Sequence, residues 1–133
     1  MCSSDLDVMN ARKRKLGSDH PDTLANMSDL AGIYWSQGRW DEAEKLQVDV
    51  VNASKAKFGS DHPATLTTMA LLAIIYQSQG RFDEAHSLLS PTIQTMQNVM
   101  GTHHPKVLYS ITVLDELSQA MQHKENKQKA SLV

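Results

Sequence analysis

The sequence predicts an all-α fold, a solenoid of antiparallel helix pairs, from three observations. The segment Gly17–Pro21 (Gly-Ser-Asp-His-Pro) returns unchanged at Gly59–Pro63 and as Gly-Thr-His-His-Pro at Gly101–Pro105, an interval of 42 residues both times. Residues 17–58 and 59–100 are identical at 20 of 42 positions. Within each copy, apolar residues recur at spacings of three and four, the period of one helix face. Self-similarity at a fixed period of this kind is the signature of a stacked repeat array.

The first expected element is a short helix over residues 5–15, which ends in the basic run Arg12–Lys15. Cations in a last turn oppose the negative end of the helix dipole, so we favour a solvated helix end over a nucleic-acid site. Met1 lies 42 residues before Ala43, and residues 1–16 are therefore interpreted as the second helix of a truncated repeat. Leu6 and Met9 would lack a covering helix there, and self-association through them is one hypothesis.

Residues 17–58 form the first complete repeat. Pro21 opens a helix, because proline suits the first helical position, and His20 or Asp19 is expected to cap it. Gln37-Gly38-Arg39 ends that helix and a second helix ends near Lys57. The positions predicted to face inward are Leu24, Met27, Leu30, Ala31 and Tyr34 in the first helix, and Trp40, Ala43, Leu46, Val50 and Val51 in the second.

Residues 59–100 repeat this design, with Pro63 at the start and Gln79-Gly80-Arg81 at the turn. The predicted inward positions are Leu66, Met69, Leu72, Ala73 and Tyr76, followed by Phe82, Ala85, Leu88, Leu89 and Ile93. Pro91 lies inside the second helix, where proline costs roughly 3 kcal/mol relative to alanine. We expect a bend near Leu88–Thr92 and no break.

The third copy is incomplete and predicts a C-terminal capping helix within residues 101–122, with Leu108, Ile111 and Leu114 inward. Asp115 and Ser118 replace the small and aromatic residues at which a partner helix would dock, and an unpaired buried Asp115 would be costly. Residues 123–133 are predicted to be a disordered polar tail.

Composition excludes several classes of function. The chain has 133 residues, of which 13 are basic and 15 acidic, so its formal charge of −2 gives no reason to expect a nucleic-acid or membrane partner. Its single cysteine, Cys2, excludes an internal disulfide. The longest apolar run, residues 69–76, is too short to cross a bilayer, and no signal peptide is recognisable. A soluble, cytoplasmic protein is therefore predicted.

No catalytic, cofactor-binding or metal-binding residue is predicted, and the chain is interpreted as not an enzyme. His20, His62 and His104 occupy one position in successive repeats, roughly 20 Å apart, whereas zinc ligands must converge on one ion. Capping of helices is the favoured role for them. The pairs Asp41-Glu42 and Asp83-Glu84 open helices, where acids favour the dipole. Cys2 has no fixed histidine partner, and no phosphate-binding glycine loop is present.

One motif of the chain reads Leu30-Ala31-x-x-Tyr34 followed by Gln37-Gly38-Arg39-Trp40-x-Glu42-Ala43-Glu44, and it has a copy from Leu72 to Ala85. This motif resembles the tetratricopeptide repeat (TPR). The longer period and the Leu16-Gly17…His20-Pro21…Thr23-Leu24 punctuation resemble the kinesin-light-chain type. The resemblance implies a right-handed α-solenoid that acts as a scaffold for a protein or peptide partner, with no cofactor. Similar arrays belong to receptor ATPases of the NACHT and NB-ARC types, so a structural or sensor fragment of such a receptor is the alternative.

The resemblance also implies a concave groove lined by the first helix of each pair. By register, the groove positions are Ala25, Ser28, Asp29, Gly32, Trp35 and Ser36; Thr67, Ala70, Leu71, Ile74, Gln77 and Ser78; and Tyr109, Thr112, Val113, Glu116 and Gln119. Many family members carry a ligand-gripping asparagine where this chain has Asp29, Leu71 and Val113.

This groove is apolar with acidic edges, so the expected ligand is an apolar or aromatic segment with a basic residue near Asp29 or Glu116. Trp35, Leu71 and Ile74 are its predicted anchors. The alternative is that Leu71 and Ile74 only pack against neighbouring repeats.

Overall fold

The computed structural model describes residues 21–132, and these residues are helical with short turns between. The helices are α1 (Pro21–Ser36), α2 (Trp40–Phe58), α3 (Pro63–Ser78), α4 (Phe82–Met100) and α5 (Pro105–Leu132). The helix predicted over residues 5–15, the cap by His20 or Asp19 and the proposed contact through Leu6 and Met9 lie outside the described residues.

Histidine caps explain where α3 and α5 begin. The Ala64 backbone N–H donates to Nδ1 of His62 at 3.1 Å, and the Lys106 N–H donates to Nδ1 of His104 at the same distance. Each ring nitrogen thereby satisfies a backbone donor that has no partner inside the first helical turn. The predicted capping role is confirmed for these two histidines.

Two glycine turns explain where α1 and α3 end. Gly38 has φ +78°, a left-handed conformation that glycine adopts without steric cost. The next N–H, that of Arg39, donates to the Tyr34 carbonyl at 2.9 Å, and the equivalent bond after Gly80 also measures 2.9 Å. A bond across six residues with glycine at this position is a Schellman motif, which satisfies carbonyls at a helix end. The predicted Gln-Gly-Arg turns are confirmed.

The chain divides into two compact units, Met1–Thr68 and Met69–Val133, with the boundary inside α3. In the first unit, the five inward positions predicted on α1 are all buried, as are Ala43, Val50 and Val51 of α2. Two predicted positions of α2 are wrong: Trp40 is 39% exposed and Leu46 is only half-buried. Trp40 is the first residue of its helix, and burial on α2 continues instead through Gln47 and Ser54.

Gln47 is a fully buried polar residue that links three helical segments of the first unit. Its Nε2 donates to the Thr68 carbonyl at 3.0 Å, and the Ser28 hydroxyl donates to its Oε1 at 3.3 Å. Nearby, the Thr65 hydroxyl donates to the Ser54 carbonyl at 3.2 Å. Buried polar groups persist where such partners exist, and a pattern of apolar residues cannot reveal them.

The second unit packs the end of α3 with α4 and α5 around one apolar cluster, which consists of Ala70, Ala73, Ala85, Leu89, Ile93, Val113 and Leu117. Its predicted members on α3 and α4, including Leu89 and Ile93, are confirmed as buried. Tyr76, Phe82 and Leu88 pack against the cluster while half-buried. Helix α4 is continuous through Pro91, as predicted, and the bend near it stays a prediction.

The orientation predicted for α5 is wrong for Leu108, whereas Ile111 and Leu114 do pack against the apolar cluster. Leu108 is 49% exposed, Ile111 and Leu114 are half-buried, and burial falls instead on the neighbouring face: Val107, Ser110, Val113 and Leu117. In residues 59–100, the position equivalent to Leu108 is Leu66, which is buried. Among the described residues, α5 has no second helix of its own repeat to cover that face, so it buries only the face that contacts α4 and the end of α3.

Helix α5 also continues to Leu132, ten residues beyond the predicted end at Gln122, and residues 123–132 are not a disordered tail in the structure. Lys, Gln, Glu and Ala dominate this segment, and all four have high helix propensity. Glu125 and Lys129 form an i,i+4 ion pair at 3.3 Å, a spacing that stabilises helices. Polar composition predicted disorder, whereas local helix propensity favours the observed extension.

Candidate functional site

The predicted groove residues of the first unit lie along one side of α1. Asp29, Gly32 and Trp35 are exposed, the last at 39%. Ser28 is half-buried because its hydroxyl contacts Gln47 of α2. The exposure of this side of α1 agrees with the register argument, and its role as a binding face stays a prediction.

In the second unit, two predicted groove residues belong to the core. Ala70 is 8% exposed and Val113 is 4% exposed, and both are members of the apolar cluster. Each lies on the side of its helix that packs against the other helices of the unit, so a partner would find little of either side chain to contact. We therefore exclude both residues from the candidate surface.

The remaining predicted residues of this unit lie on α3 and α5, and two of them, Gln77 and Glu116, contact each other. The amide Nε2 of Gln77 donates to Oε2 of Glu116 at 3.5 Å, which brings the two helices side by side. Ile74 packs against the cluster that α3 and α5 share. We define the α3–α5 surface by six residues: Leu71, Ile74, Gln77, Tyr109, Thr112 and Glu116.

The α3–α5 surface combines exposed apolar groups with one charge. Leu71 is 39% exposed and Tyr109 is 58% exposed, while Ile74 is half-buried. Tyr109, Thr112 and Glu116 follow each other at spacings of three and four, so they share one face of α5. Glu116 carries the one formal charge among the six residues. An exposed leucine, an exposed tyrosine and a carboxylate on two packed helices are chemically suited to contact a protein segment.

A concavity of about 520 Å³ lies in the same unit, away from the predicted residues. It lies between the α3–α4 turn and the end of α5, lined by Gly80, Arg81, Phe82, Asp83, Glu84, Met121, Lys124, Glu125 and Gln128. Its arginine is already engaged within the chain. Arg81 donates from Nε to Glu84 at 2.9 Å, and its guanidinium lies 4.3 Å from the centre of the Tyr76 ring. This cleft therefore presents a structural ion pair and mixed charges.

The first unit contains an equivalent set of contacts. We call this arrangement, in which one arginine binds both a glutamate and a tyrosine ring, the arginine clamp. Arg39 donates to Glu42 at 2.9 Å and lies 4.4 Å from the centre of the Tyr34 ring. Cation–π contact and a two-point ion pair hold the turn to the start of the next helix. The recurrence of Tyr, Gln-Gly-Arg and Glu in both repeats is the sequence signal for this contact, although the pattern predicted only a turn.

The hydrogen bond from Arg81 lowers the pKa of the Glu84 carboxyl, and that from Arg39 lowers the pKa of Glu42. Since the folded pKa lies below the unfolded one, each ion pair contributes stability above the unfolded pKa and loses it as pH falls through the folded pKa. We expect Glu84 to titrate at a higher pH in the Arg81→Gln variant than in the wild type, measured by NMR of the side-chain carboxyl. Equal titration in both proteins would contradict the clamp.

Within residues 21–132, no three side chains of the types His, Cys, Asp and Glu come together as metal ligands. No helix of that part of the chain has both the length and the apolar character needed to span a membrane. The acidic pairs Asp41-Glu42 and Asp83-Glu84 lie in the first turns of α2 and α4, which is their predicted position.

Known proteins provide independent comparisons. The tetratricopeptide repeat family model matches residues 5–56 and 25–90. Two crystal structures of nearly identical TPR-like repeats, from a Podosopora anserina protein described as a kinesin light chain, are similar to this chain. One is 28% identical to this chain with a TM-score of 0.76, and the match covers 96% of this chain and 60% of the solved chain. The other is 29% identical with a TM-score of 0.74, and the match covers 96% of this chain and 61% of the solved chain.

This chain therefore spans about three fifths of the length of these solved relatives. No curated protein is similar enough in sequence to count as a match.

Proposed function

Because this chain belongs to the tetratricopeptide repeat family, whose repeats generally mediate protein–protein interaction, we propose that its α3–α5 surface binds a segment of a partner protein. The fold is typically a non-catalytic scaffold, and the proposal assigns the chain no reaction. Binding would take place on the side chains of α3 and α5, with no cofactor.

The observation that carries this proposal is the exposure of Leu71 and Tyr109 on two helices that share one apolar cluster and are also joined by the Gln77–Glu116 contact. An aromatic ring loses little conformational entropy on binding and buries a large area, so residues of this kind dominate binding energies. The rigid helices beneath them support the proposal further, because a preorganised surface spends less free energy on ordering.

Short random peptides displayed on phage and selected on the immobilised chain test the proposal. We expect Tyr109→Ala to weaken the selected peptides about tenfold or more, since truncating an interface anchor costs roughly 1–2 kcal/mol or more. Leu71→Asp should weaken them as well, because it places a charge in an apolar contact. Fluorescence anisotropy with labelled peptides measures both effects.

Leu108→Ala is the matched control, because Leu108 is the next residue before Tyr109, is similarly exposed and lies on another face of α5. It should leave the affinity unchanged. Unaltered binding in both Tyr109→Ala and Leu71→Asp would contradict the proposal. The Asp29–Trp35 side of α1 is a further candidate, and loss of peptide binding in Trp35→Ala would identify it.

The length of the solved relatives favours a second function: a structural or sensor segment of a longer repeat array. In that case the exposed Leu108 would contact a further repeat and the chain would bind no peptide alone. Flanking gene sequence that encodes more repeats, or a nucleotide-binding domain, would favour this function. A stable, monomeric chain that binds peptides would favour the first proposal.

A further inference from the structure

The charge on the α3–α5 surface has no cation close to it on either helix of the surface. Helix α3 contains no Lys, Arg, Asp or Glu at all. On α5, the nearest lysines are Lys124, eight residues after Glu116, and Lys106, ten residues before it. They lie about 12 Å and about 15 Å away along the helix axis, and both distances exceed the screening length of about 8 Å at physiological salt. The Glu116 carboxylate therefore keeps its charge unpaired on this surface.

Glu116 also retains capacity to accept hydrogen bonds. Its partner among the described residues is the Gln77 amide, at a long 3.5 Å. A carboxylate offers about four acceptor positions, so one long bond leaves most of them available. The amide orients the carboxylate without neutralising it, since an amide carries no charge. A second donor, particularly a charged one, would form the stronger bond.

From this arrangement we propose that the partner segment carries a lysine or arginine that binds Glu116, alongside an apolar or aromatic residue that contacts Leu71 and Tyr109. The inference rests on the proposed function and specifies its ligand. Tyr109 and Glu116 are seven residues apart on one face of α5, about 10 Å along the axis. The basic and apolar residues of the ligand should therefore be about three positions apart in an extended segment, at roughly 3.3 Å per residue.

The selection described above tests this ligand directly. Peptides retained on the wild-type chain should be enriched in Lys or Arg at the predicted distance from an apolar residue. Glu116→Gln keeps the shape and the Gln77 contact but removes the charge, and it should weaken basic peptides about three- to tenfold, as expected for a partly exposed charged hydrogen bond. Affinity of the wild type should fall with added salt, and that dependence should be smaller in Glu116→Gln.

Two controls isolate the interaction between Glu116 and the basic residue of the peptide. A peptide with glutamine in place of its basic residue should bind wild type and Glu116→Gln equally, which closes a double-mutant cycle. Asp115→Asn removes the adjacent carboxylate from another face of α5 and should change nothing.

The possible results distinguish failure of this inference from failure of the proposed function. Peptides that lose binding in Tyr109→Ala but show no basic enrichment and no response to Glu116→Gln would overturn this inference and leave the proposed function intact. A selection that yields no peptide sensitive to either Tyr109→Ala or Leu71→Asp would overturn both.

Discussion

Leu117→Ala is expected to lower the free energy of unfolding by about 2–5 kcal/mol, the usual cost of truncating a buried leucine. Leu117 is fully buried in the apolar cluster of the second unit, where it packs with residues of α3 and α4. Removal of its side chain leaves a cavity that the surrounding alanines, Ala73 and Ala85 among them, are too small to fill. Urea denaturation followed by circular dichroism measures the loss, provided that the slope of the transition is unchanged.

Leu108→Ala is the matched control for this experiment, since both leucines lie on α5 and undergo the same chemical change. Leu108 is 49% exposed, so its truncation should change stability by less than about 0.5 kcal/mol. The comparison also tests the orientation of α5, because the sequence analysis placed Leu108 inward. A larger loss for Leu108→Ala than for Leu117→Ala would show that the structure has the wrong face buried.

Gly59→Ala is expected to destabilise the chain by about 1–3 kcal/mol, the cost of holding a residue with a side chain in a sparsely populated backbone region. Gly59 closes α2 with φ +91° and ψ 164°, and its N–H donates to the Lys55 carbonyl at 3.0 Å. Apart from Gly59 itself and its two chain neighbours, no heavy atom lies within 4 Å of a Cβ placed there. The expected loss of stability therefore comes from the backbone conformation, because the added methyl group makes no steric clash.

Gly32→Ala in the same unit should have the opposite sign. Gly32 lies inside α1 with no positive φ and no atom within 4 Å of a Cβ, so alanine should stabilise the helix by about 0.5–1 kcal/mol. Thermal and urea unfolding of the two variants give the comparison. Destabilisation of similar size in both would contradict the assigned backbone conformation of Gly59.

The helices and their ends were the most predictable part of the fold, because the signals are local. Proline after histidine starts α3 and α5, and glycine in a left-handed conformation ends α1 and α3, all within one repeat unit of sequence. The predicted fold class, an all-α solenoid of the TPR type, is confirmed by the family match and by the solved relatives. The context of NACHT or NB-ARC receptors stays a prediction.

The errors concern contacts that depend on other segments. Burial on α5 depends on which helices surround it, so the helical period alone could not choose between the Leu108 face and the Leu117 face. Gln47 is buried because Ser28 and Thr68 provide its partners, and no apolar pattern indicates that. Polar composition does not indicate where α5 ends, because residues of high helix propensity continue the helix to Leu132.

The candidate site was predictable to the level of helix faces. The register placed Leu71, Ile74, Tyr109 and Glu116 on exposed or half-exposed positions of α3 and α5. It could not separate these from the buried Ala70 and Val113, because their burial depends on how closely the helices of the unit approach one another. The Gln77–Glu116 contact joins residues 39 apart in sequence and is likewise a property of packing. Their role in binding remains the proposal.

NMR chemical-shift mapping with a selected peptide on the isotope-labelled chain tests the central claim most directly. We predict that backbone amide shifts concentrate in residues 71–77 of α3 and 109–116 of α5, and that Tyr109→Ala abolishes them at the same peptide concentration. Shifts confined to the cleft between residues 80–84 and 121–128, or to α1 alone, would contradict the α3–α5 surface as the binding site.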